Sequence, residues 1–148
     1  MSNLPEIPFQ TTLQVRDTCL CLHLQRAARA VARRFDDALR PHGLTSGQFS
    51  LMMALNRAEP PGVAAVAALL AMDRTTLTAN LKPLARRGLV VVTLDAADRR
   101  GRRLALTAPG RTLLAAAVPA WQRAQAATGR LVAGADADRL RADLCALS

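Results

Sequence analysis

Four arginines crowd five positions, Arg99, Arg100, Arg102 and Arg103, in the segment LDAADRRGRRL, with Asp95 and Asp98 just ahead of them. A guanidinium is a planar fork of donors that matches a phosphate, and the narrow, electronegative minor groove of A/T-rich DNA attracts it. A second polar run, DRTTLTANLKPLARRG, starts at Asp73. Read as a helix, it turns Leu77, Leu81 and Leu84 toward a core and leaves Thr75, Thr76, Thr78, Ala79 and Lys82 on its outer faces. Threonine hydroxyls bond phosphates or base edges, and their methyls touch thymine. Arg74, at the helix start, can reach a phosphate or a guanine edge, and the helix N-terminus itself favours phosphate. Lys82 suits a phosphate. Thr76, three residues after Asp73, fits helix capping as well as base contact, and both readings stand. From Arg74 to Arg103 there are eight Arg or Lys against two Asp, which is six of the chain's nine net positive charges.

The other reactive groups are thiols. Three cysteines without a CxxC spacing speak against a disulfide framework and against a zinc finger. Cys21, with Cys19 or with Cys145 of a partner subunit, is a candidate redox sensor. The competing reading is that each thiol packs as a small apolar side chain. Cys19 and Cys21 are two apart and would diverge on a continuous helix. Cys19 and His23, four apart, form half a metal site that nothing completes, so neither a metal nor another cofactor is expected. His42 reads as structural, in a Pro-His-Gly turn. There is no Gly-rich nucleotide loop, and no His or acid has a base role beside a cysteine. An enzyme is therefore not expected.

These groups need a scaffold. A chain of 148 residues reads as a single domain over 1–148, and its wealth of Ala and Leu favours helices. A pI near 11.4 points to an anionic partner, nucleic acid before membrane. No apolar stretch reaches membrane-spanning length without a charge or Pro, and MSNLPEIPFQ lacks the pattern of a signal peptide. The cytoplasm is the expected compartment. Residues 1–10 read as an irregular arm, and 16–40 as one long helix stopped by Pro41 and Gly43. Thr45 opens a second helix with Gln48 at capping-box spacing. A short apolar helix spans 63–70, a turn follows, and Asp73 caps the polar helix, which Gly88 ends. The β-branched run 89–94 reads as a strand, 95–103 as a turn and 104–106 as the returning strand. Thr107 caps a long helix, broken or bent at Pro119 and continuing through Trp121 to about Val132, and a last helix runs over 138–147. The fold class is mainly α with a small β-wing, a winged helix-turn-helix.

Three stretches resemble the MarR family of bacterial transcription regulators: GLTSGQFSLM at 43–52, DRTTLTANLKPLARRGLV at 73–90, and DRRGRRLALTAPG at 98–110. The resemblance implies a homodimer joined through terminal helices (16–42 and 108–147), with 45–107 as the DNA-binding lobe. Leu and Ala faces on the terminal helices, wider than one core needs, agree with it. It implies double-stranded DNA as partner, read at a pseudo-palindromic operator by two recognition helices. It implies Arg100 inserted in the minor groove and Asp98 orienting the wing arginine. Alternating hairpin positions diverge, so not all of Arg99, Arg100, Arg102 and Arg103 meet DNA. The implied role is repression, released by a small aromatic or phenolic ligand or by oxidation. Phe35, Met52, Met53 and Trp121 are candidates to line a ligand pocket. Cys21 stands 24 residues before Thr45, the spacing of the organic-peroxide-sensing OhrR branch, whose tyrosines this chain lacks. The alternative function is a winged-helix module that dimerises or docks proteins without binding DNA.

Overall fold

The structure, a computed structural model, describes residues 5–132, 134 and 136–148. Of the expected arm, residues 1–4 lie outside the described residues, 5–8 are irregular, and helix α1 (Phe9–Thr18) has already begun by residue 9. The single helix expected over 16–40 is two helices. Cys19 sits between them in an extended conformation (φ −70°, ψ 109°), and α2 runs over Leu20–Leu39. The break has a local cause. Thr18 Oγ1 turns back to donate to Gln14 O (2.7 Å), and Cys19 Sγ accepts the Leu22 N–H (3.4 Å), acting as N-cap of the new helix. A short 3-10 turn, Arg40–His42, closes at Gly43 in the left-handed region (φ 66°).

The expected capping box opens α3 (Ser46–Ala54). Gln48 N–H donates to Thr45 Oγ1 (3.1 Å) and Thr45 N–H to Gln48 Oε1 (3.0 Å). Asp36, on α2, also accepts the Ser46 N–H at 2.6 Å, and that bond holds its carboxyl below the usual carboxylate range. Helix α4 (Val63–Leu69) and helix α5 (Arg74–Arg86) form the helix-turn-helix. Strands β1 (Val90–Leu94) and β2 (Arg102–Leu106) pair antiparallel from Val90↔Leu106 to Leu94↔Arg102. Helix α6 (Ala108–Gly129) continues unbroken through Pro119, so of the two readings for that position the break is excluded. Pro119 is exposed, and the carbonyl it leaves unbonded belongs to exposed Ala115, where water can satisfy it. Helix α7 (Ala137–Cys145) starts at an Asp136 cap.

One core joins these elements. Leu39 from α2, Met52 from α3, Val66 from α4, Leu77 and Leu84 from α5, Leu104 from β2 and Ala117 from α6 are all fully buried in it. The β1–α6 corner is closely fitted. Thr107 Oγ1 donates to Gly88 O (2.6 Å) and accepts the Gly110 N–H (3.1 Å), while Thr107 N–H donates to Leu89 O (3.1 Å). Gly110 lies so near the Leu89 carbonyl that a Cβ would overlap it.

Three of the terminal helices give this core little. Helices α1 and α7 bury no residue, and α2 buries only Leu39. Phe9, Leu20, Val31, Leu140 and Leu144 are left exposed. Among the described residues, no helix is long and apolar enough to cross a membrane.

Candidate nucleic-acid interface

Helix α5 is built as its leucines require. Leu77, Leu81 and Leu84 are buried, and Arg74, Thr75, Thr76, Thr78 and Lys82 are exposed. Asp73 caps it by accepting the Thr76 N–H (2.7 Å), the main reason its carboxyl sits below the ordinary range. Thr76 Oγ1 donates to the same carboxylate at 2.8 Å, so the hydroxyl serves the cap. Thr78 Oγ1 donates to Arg74 O (2.8 Å) and keeps its lone pairs outward. Thr76→Val should therefore lower the melting temperature by about 2 °C, the loss of roughly half of one cap. DNA affinity should stay within about twofold of wild type, less than the tenfold that a lost 1.4 kcal/mol base contact would bring. Thermal melts beside a binding titration check both, and a large affinity loss at unchanged melting temperature would assign Thr76 to DNA.

The wing carries its arginines differently. Arg99, Arg100 and Arg102 are exposed. Arg100 and Arg102 line a cleft of about 630 Å³ with Arg74 and Thr78 of α5 and Val63, Ala64 and Ala65 of α4; Arg99 lies off it. Arg103 also borders the cleft, but it bonds to the protein: Nε and Nη2 reach Asp95 Oδ2 (3.0 and 2.9 Å), and Nη1 donates to Pro60 O (3.3 Å). Asp98 Oδ1 accepts the Arg100 backbone N–H (3.0 Å) and so shapes the turn, whereas the carboxylate bonded to a wing arginine side chain is Asp95. Lys82, Thr75 and Thr76 are on α5 but outside the cleft.

Several of these contacts had no sequence signal short of the strand register. The segment before α4 adds an edge to the wing, with Gly62 bridged to Arg103 and Leu104 N–H donating to Pro61 O (2.9 Å). Arg87 Nη1 donates to Gly43 O (2.7 Å), which ties the end of α5 to the turn after α2 and makes this arginine structural.

Away from this face, Val31, Phe35, Phe49, Ser46, Ser50 and Trp121 line a cavity of about 320 Å³ between α2, α3 and α6. Phe49 and Trp121 stack at 6.0 Å, and Met53 lines a second cavity that shares their rings. Of the four expected lining residues Met52 does not take part, being wholly buried in the core. Cys19 is half-buried; Cys21 and Cys145 are exposed. Because Cys19 is extended, the expectation that its side chain and that of Cys21 diverge along one helix does not apply. His23 Nδ1 bonds Cys19 O (2.7 Å), not the thiol. Among the described residues, no group of three His, Cys, Asp or Glu could hold a metal.

Helices α3, α4 and α5, the last capped and polar on its outer face, together with a two-stranded basic wing, define a winged helix-turn-helix. Comparison with known proteins carries this further. Residues 42–101 match the family model described as MarR family. The chain is 41% identical to the transcriptional regulator MosR of M. tuberculosis, solved in complex with DNA, over 88% of this chain and 93% of that one (TM-score 0.80). It is 30% identical to CouR of Rhodococcus jostii RHA1, solved bound to p-coumaroyl-CoA, over 90% of this chain and 91% of that one (TM-score 0.69). It is also 44% identical to the transcriptional regulator HosA of Escherichia coli O157:H7 over 78 residues, 51% of this chain. That match spans 56% of HosA, so the chain covers about half the length of this curated relative. The chain belongs to the MarR family.

Proposed function

We propose that this protein is a homodimeric, double-stranded-DNA-binding transcription regulator of the cytoplasm. It acts as a repressor at a pseudo-palindromic operator and is not an enzyme. The observation that carries the proposal is the cleft in which Arg74 and Thr78 of α5 meet Arg100 and Arg102 of the wing. One element offers a helix to the major groove while the other offers guanidinium groups to the flanking minor groove. Arg99, Thr75 and Lys82 widen the footprint toward the phosphates, and Asp98 sets the turn that presents Arg100. The exposed apolar faces of α1, α2 and α7 supply the dimer contact, which places two recognition helices on one side of the duplex. A gel shift on the DNA upstream of the protein's own coding sequence tests this reading. A retarded band at one dimer per site is expected. No shift on that DNA or on duplexes selected from a random pool would overturn it.

Release follows from events on the other side of the core. The cavity beside Phe35, Phe49 and Trp121 fits a small aromatic or phenolic ligand, and a ligand there would press on α3, which opens the DNA-binding lobe, and on α6, which follows it. The aromatic acyl thioester bound by CouR supports this choice of ligand class. The exposed thiols offer a second trigger. Oxidation of Cys21 by a peroxide, with linkage to Cys19 or to the partner's Cys145, should loosen DNA by changing the spacing of the two lobes. Peroxide added to a binding assay should release wild type and spare Cys21→Ser, with non-reducing gels reporting the link. Equal release of both would exclude Cys21 as the sensor, and a wild type that ignores peroxide would restrict the trigger to the ligand.

A further inference from the structure

We propose that Asp95 and Arg103 are positioning residues for DNA binding: with the Pro60 carbonyl they form a brace that fixes the wing's angle against the α3–α4 linker. The inference rests on the duplex-DNA reading above. Asp95 is held on every side. Its Oδ2 takes Arg103 Nε and Nη2 (3.0 and 2.9 Å), its Oδ1 takes the Ala97 N–H (3.0 Å), and its own N–H donates to Gly101 O (3.0 Å). Gly101 presses on it so closely that a Cβ there would stand 3.0 Å from Asp95 Cβ. From this node Arg103 Nη1 reaches across to Pro60 O (3.3 Å), beside the Leu104–Pro61 bond (2.9 Å) and the Gly62–Arg103 bridge. The linker it grips leads straight into α4, whose first turn borders the same cleft as Arg100 and Arg102. Arg100 and Arg102 can meet their groove while α5 is seated in its own only if the hairpin holds one angle. The pair is half-exposed at Arg103 and largely covered at Asp95, and a pair reached by water on its arginine side adds only modestly to global stability. What it sets is the pose of the hairpin's outer half, beyond the Leu104–Pro61 bond.

The brace makes a prediction opposite in sign to simple electrostatics. Asp95 is a negative charge at the base of a basic DNA-facing wing, so by charge alone its removal should tighten binding. The brace requires the reverse. The variants are Asp95→Asn, which keeps the Ala97 bond, Arg103→Ala, and the double substitution. Each is titrated by fluorescence anisotropy against a duplex that wild type selects from a random pool. Each single variant should bind about three- to fivefold more weakly, the measure of one partly exposed ion pair acting wholly on pose. The double variant should be no weaker than the worse single, because both remove the same brace. Salt slopes should stay at the wild-type value, since neither residue serves as a phosphate contact, and melting temperatures should match wild type within about 2 °C, as befits a partly exposed pair. Tighter binding by Asp95→Asn, additive losses in the double, or a shallower slope for Arg103→Ala would overturn the brace while leaving the DNA reading standing. Failure of wild type to select any duplex would overturn the DNA reading itself, and the brace with it.

Discussion

Arg100→Ala should weaken operator binding by about tenfold or more, the range of 1–3 kcal/mol that one good groove contact contributes, and leave the fold intact. Arg100 is exposed in the turn that Asp98 shapes and borders the cleft opposite Arg74 and Thr78. Truncation removes one of the two arginines that the wing brings to the cleft without an ion-pair partner among the described residues; Arg102 remains, two residues on at the start of β2, while Arg99 lies off the cleft and Arg103 is bonded to Asp95. The control is Arg57→Ala, an exposed arginine in the α3–α4 linker that does not border the cleft. Both substitutions lower the net charge equally. If the wing arginine acts through geometry, only Arg100→Ala loses tenfold. Equal losses would mean that the protein answers to total charge, and the wing assignment would fall.

The second large effect is on stability. Gly110→Ala should lower the melting temperature by about 5–10 °C, because inserting a methyl into a filled site costs around 1–3 kcal/mol and a chain of this size loses a few degrees per kcal/mol. The obstacle is backbone: the new Cβ would overlap Leu89 O and stand 3.0 Å from Leu89 C, and no rotamer can clear it. Relief requires α6 to move away from β1, which also breaks the Thr107 bonds to Gly88 O and Leu89 O. Gly47→Ala in α3 is the matched control, since nothing lies within 4 Å of its Cβ position. That change should be neutral or stabilise by up to about 1 kcal/mol through helix propensity. Calorimetry of the two variants decides it. A Gly110→Ala protein that melts with wild type would show that the β1–α6 corner has room to spare.

The legible parts of this fold were those with local causes. The Thr45 and Asp73 caps, the burial of Leu77, Leu81 and Leu84, and the end of α5 just before Gly88 follow from side chains within four residues of each boundary. The break at Cys19 was missed because a thiol is a weak cap and the apolar period runs on through Leu20 and Leu24 as though nothing interrupted it. At Pro119 the sequence left a break or a bend open, and α6 is unbroken there because the breaker is set where an unbonded carbonyl meets water. At the interface, the composition placed the arginines, but pairing them required register. Asp95 and Arg103 are eight apart; the expected strand 104–106 left Arg103 in the turn, and only its place in β2 opposite Thr93 brings it to Asp95 across the hairpin. Arg87 looked like surface charge because its partner, Gly43 O, is 44 residues away in the chain.

Salt dependence of binding tests the central claim most directly. With the selected duplex, the logarithm of the binding constant should fall linearly and steeply with the logarithm of salt concentration. The slope should correspond to roughly six or more phosphates, three or more from each half of a dimer, since each neutralised phosphate adds about 0.9 to it. Size-exclusion at micromolar concentration should give the mass of two chains. A flat salt response, or a monomer that binds as tightly as the native protein, would contradict a paired, phosphate-anchored interface built from α5 and the arginine wing.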